Sequence, residues 1–426
     1  MNPDFTIERT AYGVLSGIYS GGAYSSIELD RALDIAPPQA RGKITALVYG
    51  VLDKSARLDY VISSVAERKV KTGLSVLLKM GLYELLYGSE PDYAVVSRYV
   101  AFAKKRMSGV AGFVNAVLRR AKGVTVPDGG SDPASLALKY SRPEWAVRRL
   151  VEDFGDRAEK ILSAGNNNLT HIRRNGLRIG REEFDNLIVE KSKNEQIIRT
   201  KFGYYVTHST LRALDPKLYT AQSISSVMAA GIFAENLPEN ARVLDLCAAP
   251  GGKAIYIKEL LPLSSVTACD VHPHRVNLIR SYADRMGADI KVMQNDATKI
   301  RAEWKNSFDA VICDVPCTGS GLINSSPDIL LFKKDEDVAA LASLQQRILT
   351  AAAEYVEPGG VLAYSTCSLF RAEDEAVVSE FLAAHDTYSA EPTGLPYGET
   401  KDGFTRFFPD TDGCDGFFVA KMRRAK

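Results

Sequence analysis

Apolar residues recur every three or four positions through residues 5–122, the spacing of one face of an α-helix. Residues 74–86 form a nearly continuous apolar run that is followed by Gly88, a typical helix end. Other helices are predicted at 44–52, 58–65, 93–106 and 113–120. The apolar positions of the first helix are Ile7, Ala11, Val14, Leu15 and Ile18. This pattern predicts an all-helical domain over residues 1–124.

The pattern changes after a segment rich in Gly, Pro, Ser and Asp, residues 123–135, which has the composition of a linker. Residues 136–164 have helical periodicity, whereas 171–215 contain short strand-like pieces around an acidic helix. Those pieces lie at 177–179, 197–199 and 204–206, with the helix at 182–191 and a further helix at 219–235. We therefore expect a helical linker and a small α+β region over residues 125–240.

From residue 241 onward, strand-like and helix-like segments alternate, which is typical of a parallel, doubly wound sheet. The predicted strands lie at 243–246, 265–269, 290–294, 308–313, 360–365 and 417–423, and we expect the last to be antiparallel. Asp270, Asp296, Asp314 and Cys367 each follow one of these strands. In such sheets, ligands bind at the carboxyl ends of the strands. The sequence thus predicts an α/β Rossmann-like domain over 241–426 with a ligand crevice.

The composition, with 46% hydrophobic and 25% charged residues, is typical of a soluble globular protein. No stretch approaches the roughly 20 apolar residues that span a bilayer, and the first residues lack the apolar core of a signal peptide. We therefore expect a cytoplasmic protein without a membrane partner. Residues 1–124 hold 17 Lys and Arg against 11 Asp and Glu, whereas 241–426 hold 20 against 26. The excess of basic residues in 1–124 favours a polyanionic partner such as RNA. Lysines and arginines at exposed helix ends would give the same excess without any such partner.

A turn of small residues follows the strand at 243–246, and a helix follows the turn. It consists of Cys247, Ala248, Ala249, Pro250, Gly251, Gly252 and Lys253. Glycines allow a ligand to approach backbone N–H groups at the start of a helix. The turn is not the G-x-G-x-x-G fingerprint of dinucleotide enzymes, which weakens a dehydrogenase interpretation. Asp270, at the end of the next strand, is placed to bind ribose hydroxyls, and Asp296 an adenine amine, which favours an adenosine-containing cofactor.

All six cysteines lie between Cys247 and Cys414, which is unlike a disulfide framework, so we expect free thiols. Cys317 and Cys367 end two predicted neighbouring strands and should share the crevice. Cys247, Cys269, Cys313 and Cys414 are interpreted as core residues. Zinc is the rival interpretation of the thiol pair, but the sequence has no C-x-x-C motif, so we predict no metal site.

Two thiols and an acid beside an adenosine pocket suit methylation at carbon 5 of cytosine. A thiolate that adds to carbon 6 turns carbon 5 into a nucleophile. A protonated Asp314 would stabilise the adduct at N3, and a second thiol would assist removal of the carbon 5 proton. Because no His lies in either cysteine motif, Lys253, local N–H groups or a cationic cofactor must favour the thiolate.

These residues resemble the RNA 5-methylcytosine methyltransferases of the Nol1/Nop2/Sun family, and within it the bacterial enzymes that modify 16S ribosomal RNA. The matching motifs are LDLCAAPGGK (244–253), CDVHPHR (269–275), NDAT (295–298), DVPCTGSG (314–321), SPDIL with LQQRIL (326–349), YSTCS (364–368) and DGFFVAKMRR (415–424). The front part resembles that family's NusB-like RNA-binding domain through MGLYELLY (80–87) and FVNAVLRR (113–120), and SRPEW (141–145) resembles the start of its middle region. The likeness spans nearly the whole chain.

The resemblance implies S-adenosylmethionine bound by residues 247–253, Asp270, Asp296 and Asp314 in a class I methyltransferase domain. It implies Cys367 as the nucleophile and Cys317 as the thiol for product release, a division that spacing leaves open. The expected activity is methylation of cytosine C5 in 16S ribosomal RNA by a monomer. The alternatives are the same chemistry on another RNA such as tRNA, or a non-catalytic RNA-binding assembly factor.

Overall fold

The computed structural model describes residues 4–21, 25–165, 169–326, 328–395 and 397–426. The chain divides into two compact units. The first unit comprises Met1–Leu162 with Ser326–Lys333, and the second comprises Ser163–Ser325 with Lys334–Lys426. Among the described residues, none of the helices is both long enough and apolar enough to cross a membrane.

The first unit is helical, as the periodicity predicted. Its helices are α1 (Thr6–Gly21), α2 (Ser25–Ile35), α3 (Pro38–Asp53), α4 (Ser55–Val65), α5 (Thr72–Tyr87), α6 (Asp92–Arg106), α7 (Ala111–Ala121), α8 (Pro133–Tyr140), α9 (Glu144–Phe154) and α10 (Arg157–Ser163). The apolar faces of α1 to α7 pack into one core. Leu331 also packs on this core, and the Phe332 ring lies 5.7 Å from that of Tyr19.

Helix α5 lies at the centre of this unit because both its sides are apolar. Its one buried cation, Lys79, lies 2.8 Å from a carboxylate oxygen of Asp59 and 4.2 Å from the centre of the Tyr19 ring. The helix ends at Gly88, where a Cβ atom would lie 2.4 Å from the carbonyl oxygen of Glu84. A buried lysine is tolerated here because it has a paired charge.

A small antiparallel sheet opens the second unit. Its strands are β1 (Thr170–Arg174), β2 (Ile197–Thr200), β3 (Gly203–Val206) and β4 (Tyr219–Ala221), in the order β2-β3-β1-β4, with helices α11 (Arg181–Ser192) and α12 (His208–Ala213). Two expectations were wrong here. Residues 177–179 are not a strand, because the chain turns at Asn175 and Gly176. Residues 219–221 begin no helix, because β1 pairs with them, and α13 starts later (Ile224–Ala234).

The large sheet has its strands in the order β11-β12-β13-β9-β8-β5-β6-β7, with β10 paired to β13. The strands are β5 (Arg242–Asp245), β6 (Ser265–Asp270), β7 (Lys291–Gln294), β8 (Phe308–Asp314), β9 (Val356–Thr366), β10 (Tyr388–Glu391), β11 (Glu399–Lys401), β12 (Phe404–Phe407) and β13 (Phe417–Arg424). Strands β5 to β9 are parallel and β13 is antiparallel to β9. The Rossmann-like prediction is confirmed. Strands β10 to β12 were not predicted from the sequence, because they are short.

Helices cover both faces of this sheet. They are α14 (Gly252–Leu260), α15 (Pro273–Met286), α16 (Asp335–Ala353) and α17 (Glu375–Ala384), with a short α18 (Pro409–Asp412) at the edge. Successive strand residues point to opposite faces, so Val243 packs with α13 and α14 whereas Leu244 packs with α16 and α17. Chain order reverses between β5 and β8, and the crevice of such a sheet opens at that point.

Candidate active site

The glycine turn lies at the carboxyl end of β5, next to the point where the strand order reverses. The N–H of Ala248 donates to the carbonyl of Cys269 at 2.8 Å, which ties the turn to β6. Gly251 has φ +117°, and a Cβ there would touch Ile255 and Ile279 at 3.4 Å. Helix α14 begins immediately afterwards. The turn therefore needs glycine for its backbone conformation, and it presents the N-terminus of a helix to the crevice.

Lys253, in the first turn of α14, extends to the end of β8. Its Nζ lies 2.7 Å from Oδ2 of Asp314 and 5.1 Å from the centre of the Phe417 ring. The other carboxylate oxygen of Asp314 accepts a hydrogen bond from Ser365 Oγ at 2.7 Å. Lys253 is buried and Asp314 is partly exposed. A fixed positive charge and a carboxylate thus lie together beside the turn.

Asp245, the last residue of β5, is a candidate site residue that was not predicted from the sequence. Its side chain is completely buried, and neither carboxylate oxygen has a hydrogen-bond partner from a side chain or the backbone among the described residues. Burial, together with the negative charge of Asp314, raises the pKa of Asp245 to about 7, against the opposing effect of Lys253. Its only sequence signal is a charge at the end of an apolar strand. An unpaired buried carboxylate favours a cationic ligand nearby.

Asp270 and Asp296 follow adjacent strands, as predicted. Asp270 is buried, accepts from the backbone N–H of His272 at 2.9 Å and lies 3.3 Å from Arg275. Asp296 is partly exposed, and one of its oxygens accepts from the backbone and hydroxyl of Thr298. The hydroxyl of Thr298 lowers the pKa of Asp296, which keeps it ionised. Both side chains therefore shape loops at the crevice edge and remain acceptors.

The structure brings the two singled-out cysteines together. The Sγ atoms of Cys317 and Cys367 lie 3.2 Å apart at the carboxyl ends of β8 and β9, and both side chains are partly exposed. The contact with Cys367, with burial, raises the pKa of the Cys317 thiol well above its usual value. At this distance either sulfur could donate a hydrogen bond to the other. Both thiols are free.

The other cysteines divide into two kinds. Cys269 and Cys313 are fully buried, as expected of core residues, whereas Cys247 and Cys414 are partly buried and pack against the edge of the core. They lie in loops at the carboxyl edge, where packing is incomplete. In the described part of the chain, no group of three or more His, Cys, Asp or Glu side chains is arranged to hold a metal ion.

The strand order, the glycine turn after the first parallel strand and the antiparallel last strand define a class I methyltransferase domain. A family model described as 16S rRNA methyltransferase RsmB/F matches residues 233–423, and the model of the NusB family matches residues 10–122. The chain is 34% identical to the probable ribosomal RNA small subunit methyltransferase B of Bacillus subtilis (strain 168), over 98% of this chain and 99% of that protein. The chain belongs to the RsmB/F methyltransferase family.

Solved structures share the fold. The crystal structure of PH0851 superimposes with a TM-score of 0.85 at 23% identity and covers 100% of both chains. A methyltransferase homolog protein from Pyrococcus horikoshii, 27% identical, covers 69% of this chain and 99% of its own, with a TM-score of 0.58. The expected combination of a NusB-like helical domain and a class I methyltransferase domain is thereby confirmed.

Proposed function

We propose that this protein methylates carbon 5 of a cytosine in 16S ribosomal RNA, with S-adenosylmethionine as the methyl donor and a covalent link between Cys367 and carbon 6. The observation that carries the proposal is the pair of sulfur atoms, Cys317 and Cys367, 3.2 Å apart in the crevice of a methyltransferase fold. Family membership supports methylation of RNA. The relatives named small subunit methyltransferase B support 16S ribosomal RNA over tRNA as the substrate.

The residues around the crevice fit S-adenosylmethionine. We assign the cofactor to Cys247, Ala248, Ala249, Pro250, Gly251, Gly252, Lys253, Asp270, Asp296 and Asp314. Asp270 would accept the ribose hydroxyls and Asp296 the adenine amine. Asp245 adds an unpaired buried carboxylate, which a cofactor with a positive sulfur and a positive ammonium group would match. When bound, S-adenosylmethionine supplies an electrophilic methyl group.

Cys367 provides the nucleophile. Its thiolate adds to carbon 6 of the cytosine, the carbon 5–carbon 6 double bond opens, and the electron pair makes carbon 5 nucleophilic. We assign stabilisation at N3 to Asp314, with Lys253, whose Nζ lies 2.7 Å from Asp314 Oδ2, as its proton source. Ser365 holds the Asp314 carboxylate in place.

Cys317 provides for product release. The hydrogen bond with Cys367 is the largest cause of the raised pKa of the Cys317 thiol, and it is lost once the Cys367 sulfur is bonded to the base. We assign the Cys317 proton to solvent water, which reaches this partly exposed sulfur, and the resulting thiolate then accepts the carbon 5 proton. The double bond re-forms and Cys367 leaves as a thiolate, which restores the enzyme.

The N-terminal part of the chain would bind the RNA. We propose that residues 1–124 form an RNA-binding domain and residues 125–240 a second RNA-binding region, ahead of the catalytic part at 241–426. Helix α6 ends in Lys104, Lys105 and Arg106, and α7 ends in Arg119 and Arg120. Such clusters favour phosphate contacts that weaken as salt increases.

The decisive experiment follows the covalent step. Unmodified 16S ribosomal RNA is incubated with labelled S-adenosylmethionine and either wild-type protein, Cys317→Ala or Cys367→Ala. We expect 5-methylcytosine from the wild type, a stable protein–RNA adduct from Cys317→Ala, and neither from Cys367→Ala. An adduct from Cys367→Ala would reverse the two roles. Absence of methyl transfer by the wild type, with RNA binding retained, would favour a non-catalytic assembly factor instead.

A further inference from the structure

Glu373 is a completely buried carboxylate six positions after Cys367 in the sequence, outside the crevice residues described above. Its Oε1 accepts from the backbone N–H of Thr318 at 2.8 Å and from Gln345 Nε2 at 3.3 Å. Its Oε2 accepts from the hydroxyls of Thr318 at 2.5 Å and Ser368 at 2.6 Å. Each oxygen thus has two donors, which accounts for the burial of a carboxylate that has no cation in contact among the residues the structure describes.

Three of these donor groups, on Thr318 and Ser368, belong to the loops that contain Cys317 and Cys367. Thr318 follows Cys317 directly, and Ser368 follows Cys367 directly. Gln345, on α16, also donates to the carbonyl of Pro316 at 2.9 Å, so the Cys317 loop is held on both sides of the cysteine. One carboxylate therefore connects the residues that adjoin both reactive sulfurs.

A second layer of bonds joins the same loops. The N–H of Gly321 donates to the carbonyl of Cys367 at 2.9 Å, and the hydroxyls of Ser320 and Ser368 lie 3.0 Å apart. Ser320 Oγ also accepts from the N–H of Leu369 at 2.8 Å. Ser368 is thus bonded to Glu373 on one side and to the Cys317 loop on the other. Movement of Glu373 would be transmitted to both loops.

We propose that Glu373 is a positioning residue that fixes the distance and direction between the Cys317 and Cys367 sulfurs. The inference rests on the proposed function, because it assigns to that reaction a residue that contacts the neighbours of the two cysteines rather than the residues assigned to the cofactor. A carboxylate suits this place because all four of its partners are donors. A glutamine there offers only one oxygen acceptor, and its NH2 group faces donors.

The test separates geometry from catalysis. Diamide, a thiol oxidant, forms a disulfide between Cys317 and Cys367 only when the two sulfurs approach each other in a suitable direction. The rate of disulfide formation in the full-length protein is measured by mass spectrometry of a non-reduced digest. In Glu373→Gln we expect this rate to fall several-fold. We also expect kcat for RNA methylation to fall on the order of a hundredfold, with KM for S-adenosylmethionine unchanged, since Glu373 does not contact residues 247–253.

The matched control is Glu380→Gln, the same change at an exposed position of α17. It should leave the cross-linking rate and kcat unchanged. If Glu373→Gln does not fold, Thr318→Val and Ser368→Ala each remove one hydroxyl donor and should shift both readouts in the same direction by less.

Two results would overturn the inference. One is a cross-linking rate in Glu373→Gln, or in both hydroxyl variants, equal to that of the wild type. The other is an unchanged kcat in a wild-type background that does methylate RNA. Failure of the wild type to methylate RNA would count against the proposed function, whereas the cross-linking rate would still decide the role of Glu373.

Discussion

Lys253 Nζ lies 2.7 Å from Asp314 Oδ2, which joins the glycine turn after β5 to the end of β8 by one ion pair. Lys253 is buried, whereas the side chain of Asp314 is partly exposed at the crevice. Removing the lysine charge leaves Asp314 with Ser365 as its hydrogen-bond partner and without the neighbouring cation.

We predict that Lys253→Met lowers kcat for RNA methylation by roughly a hundredfold or more, the typical effect of losing a proton-transfer group. Single-turnover methylation of 16S ribosomal RNA measures this effect. The control is Lys258→Met on the same helix, whose Nζ donates to the carbonyl of Ser264 and lies outside the site. Equal rates for Lys253→Met and the wild type would remove Lys253 from the mechanism.

The second prediction concerns pH and Asp245. Its pKa in the folded protein is raised to about 7, above the ordinary value of 3.8. The unfolded chain therefore loses this proton first, and the folded state is destabilised as pH rises from about 4 to about 7. The loss is a few kcal/mol at most, since one pKa unit corresponds to about 1.4 kcal/mol.

Asp245→Asn removes this titration. In the absence of cofactor, the variant should be more stable relative to wild type at pH 8 than at pH 5, measured by urea unfolding at both values. Asp289→Asn, at an exposed position, is the control and should show no such difference. A stability difference between Asp245→Asn and wild type that is the same at both pH values would contradict the raised pKa.

Much of this fold was predictable because the strands β5, β6, β8 and β9 are apolar runs that end in polar residues. Adjacent parallel strands bring their ends together, so the meeting of Cys317 and Cys367 followed from the strand assignments. Strand β4 could not be found in this way. Residues 219–221 adjoin an apolar helix, and only their pairing with β1, far away in sequence, makes them a strand.

The partners of buried polar groups were not predictable either. Glu373 and Asp245 are both carboxylates in the sequence, but one meets four donors and the other none. The donors of Glu373 lie 55 residues away at Thr318, 28 away at Gln345 and 5 away at Ser368. Such contacts depend on packing in three dimensions, and no local pattern encodes them.

The third prediction concerns Arg173, a fully buried residue of β1. Its guanidinium contacts both carboxylate oxygens of Glu259 at 2.6–2.7 Å, the side chain of Gln222 at 2.9 Å and the carbonyl of Gly252 at 3.2 Å. It also lies 4.3 Å from the centre of the Tyr256 ring. The small sheet is thereby anchored to the start of α14, next to the cofactor turn.

We predict that Arg173→Met destabilises the protein by about 3–5 kcal/mol, because it leaves Glu259 buried without its partner, and that it weakens S-adenosylmethionine binding. Thermal unfolding and calorimetric titration measure the two effects. Arg199→Met, on β2 of the same sheet, breaks an exposed ion pair with Asp185 of α11 and should cost less than about 1 kcal/mol. Similar losses for the two variants would show that Arg173 is not an anchor.

The last prediction concerns Gly251, which has φ +117° in the cofactor turn. An alanine there is strained in its backbone, because side chains with a Cβ rarely adopt this φ. The turn must shift to relieve this strain, so we expect Gly251→Ala to weaken S-adenosylmethionine binding at least about tenfold, which corresponds to about 1.4 kcal/mol.

Gly231→Ala, within helix α13 and with open space around the added Cβ, is the control. It should keep the wild-type affinity and, because alanine favours helix, lose no stability. Wild-type affinity in Gly251→Ala would show that the cofactor does not depend on this turn.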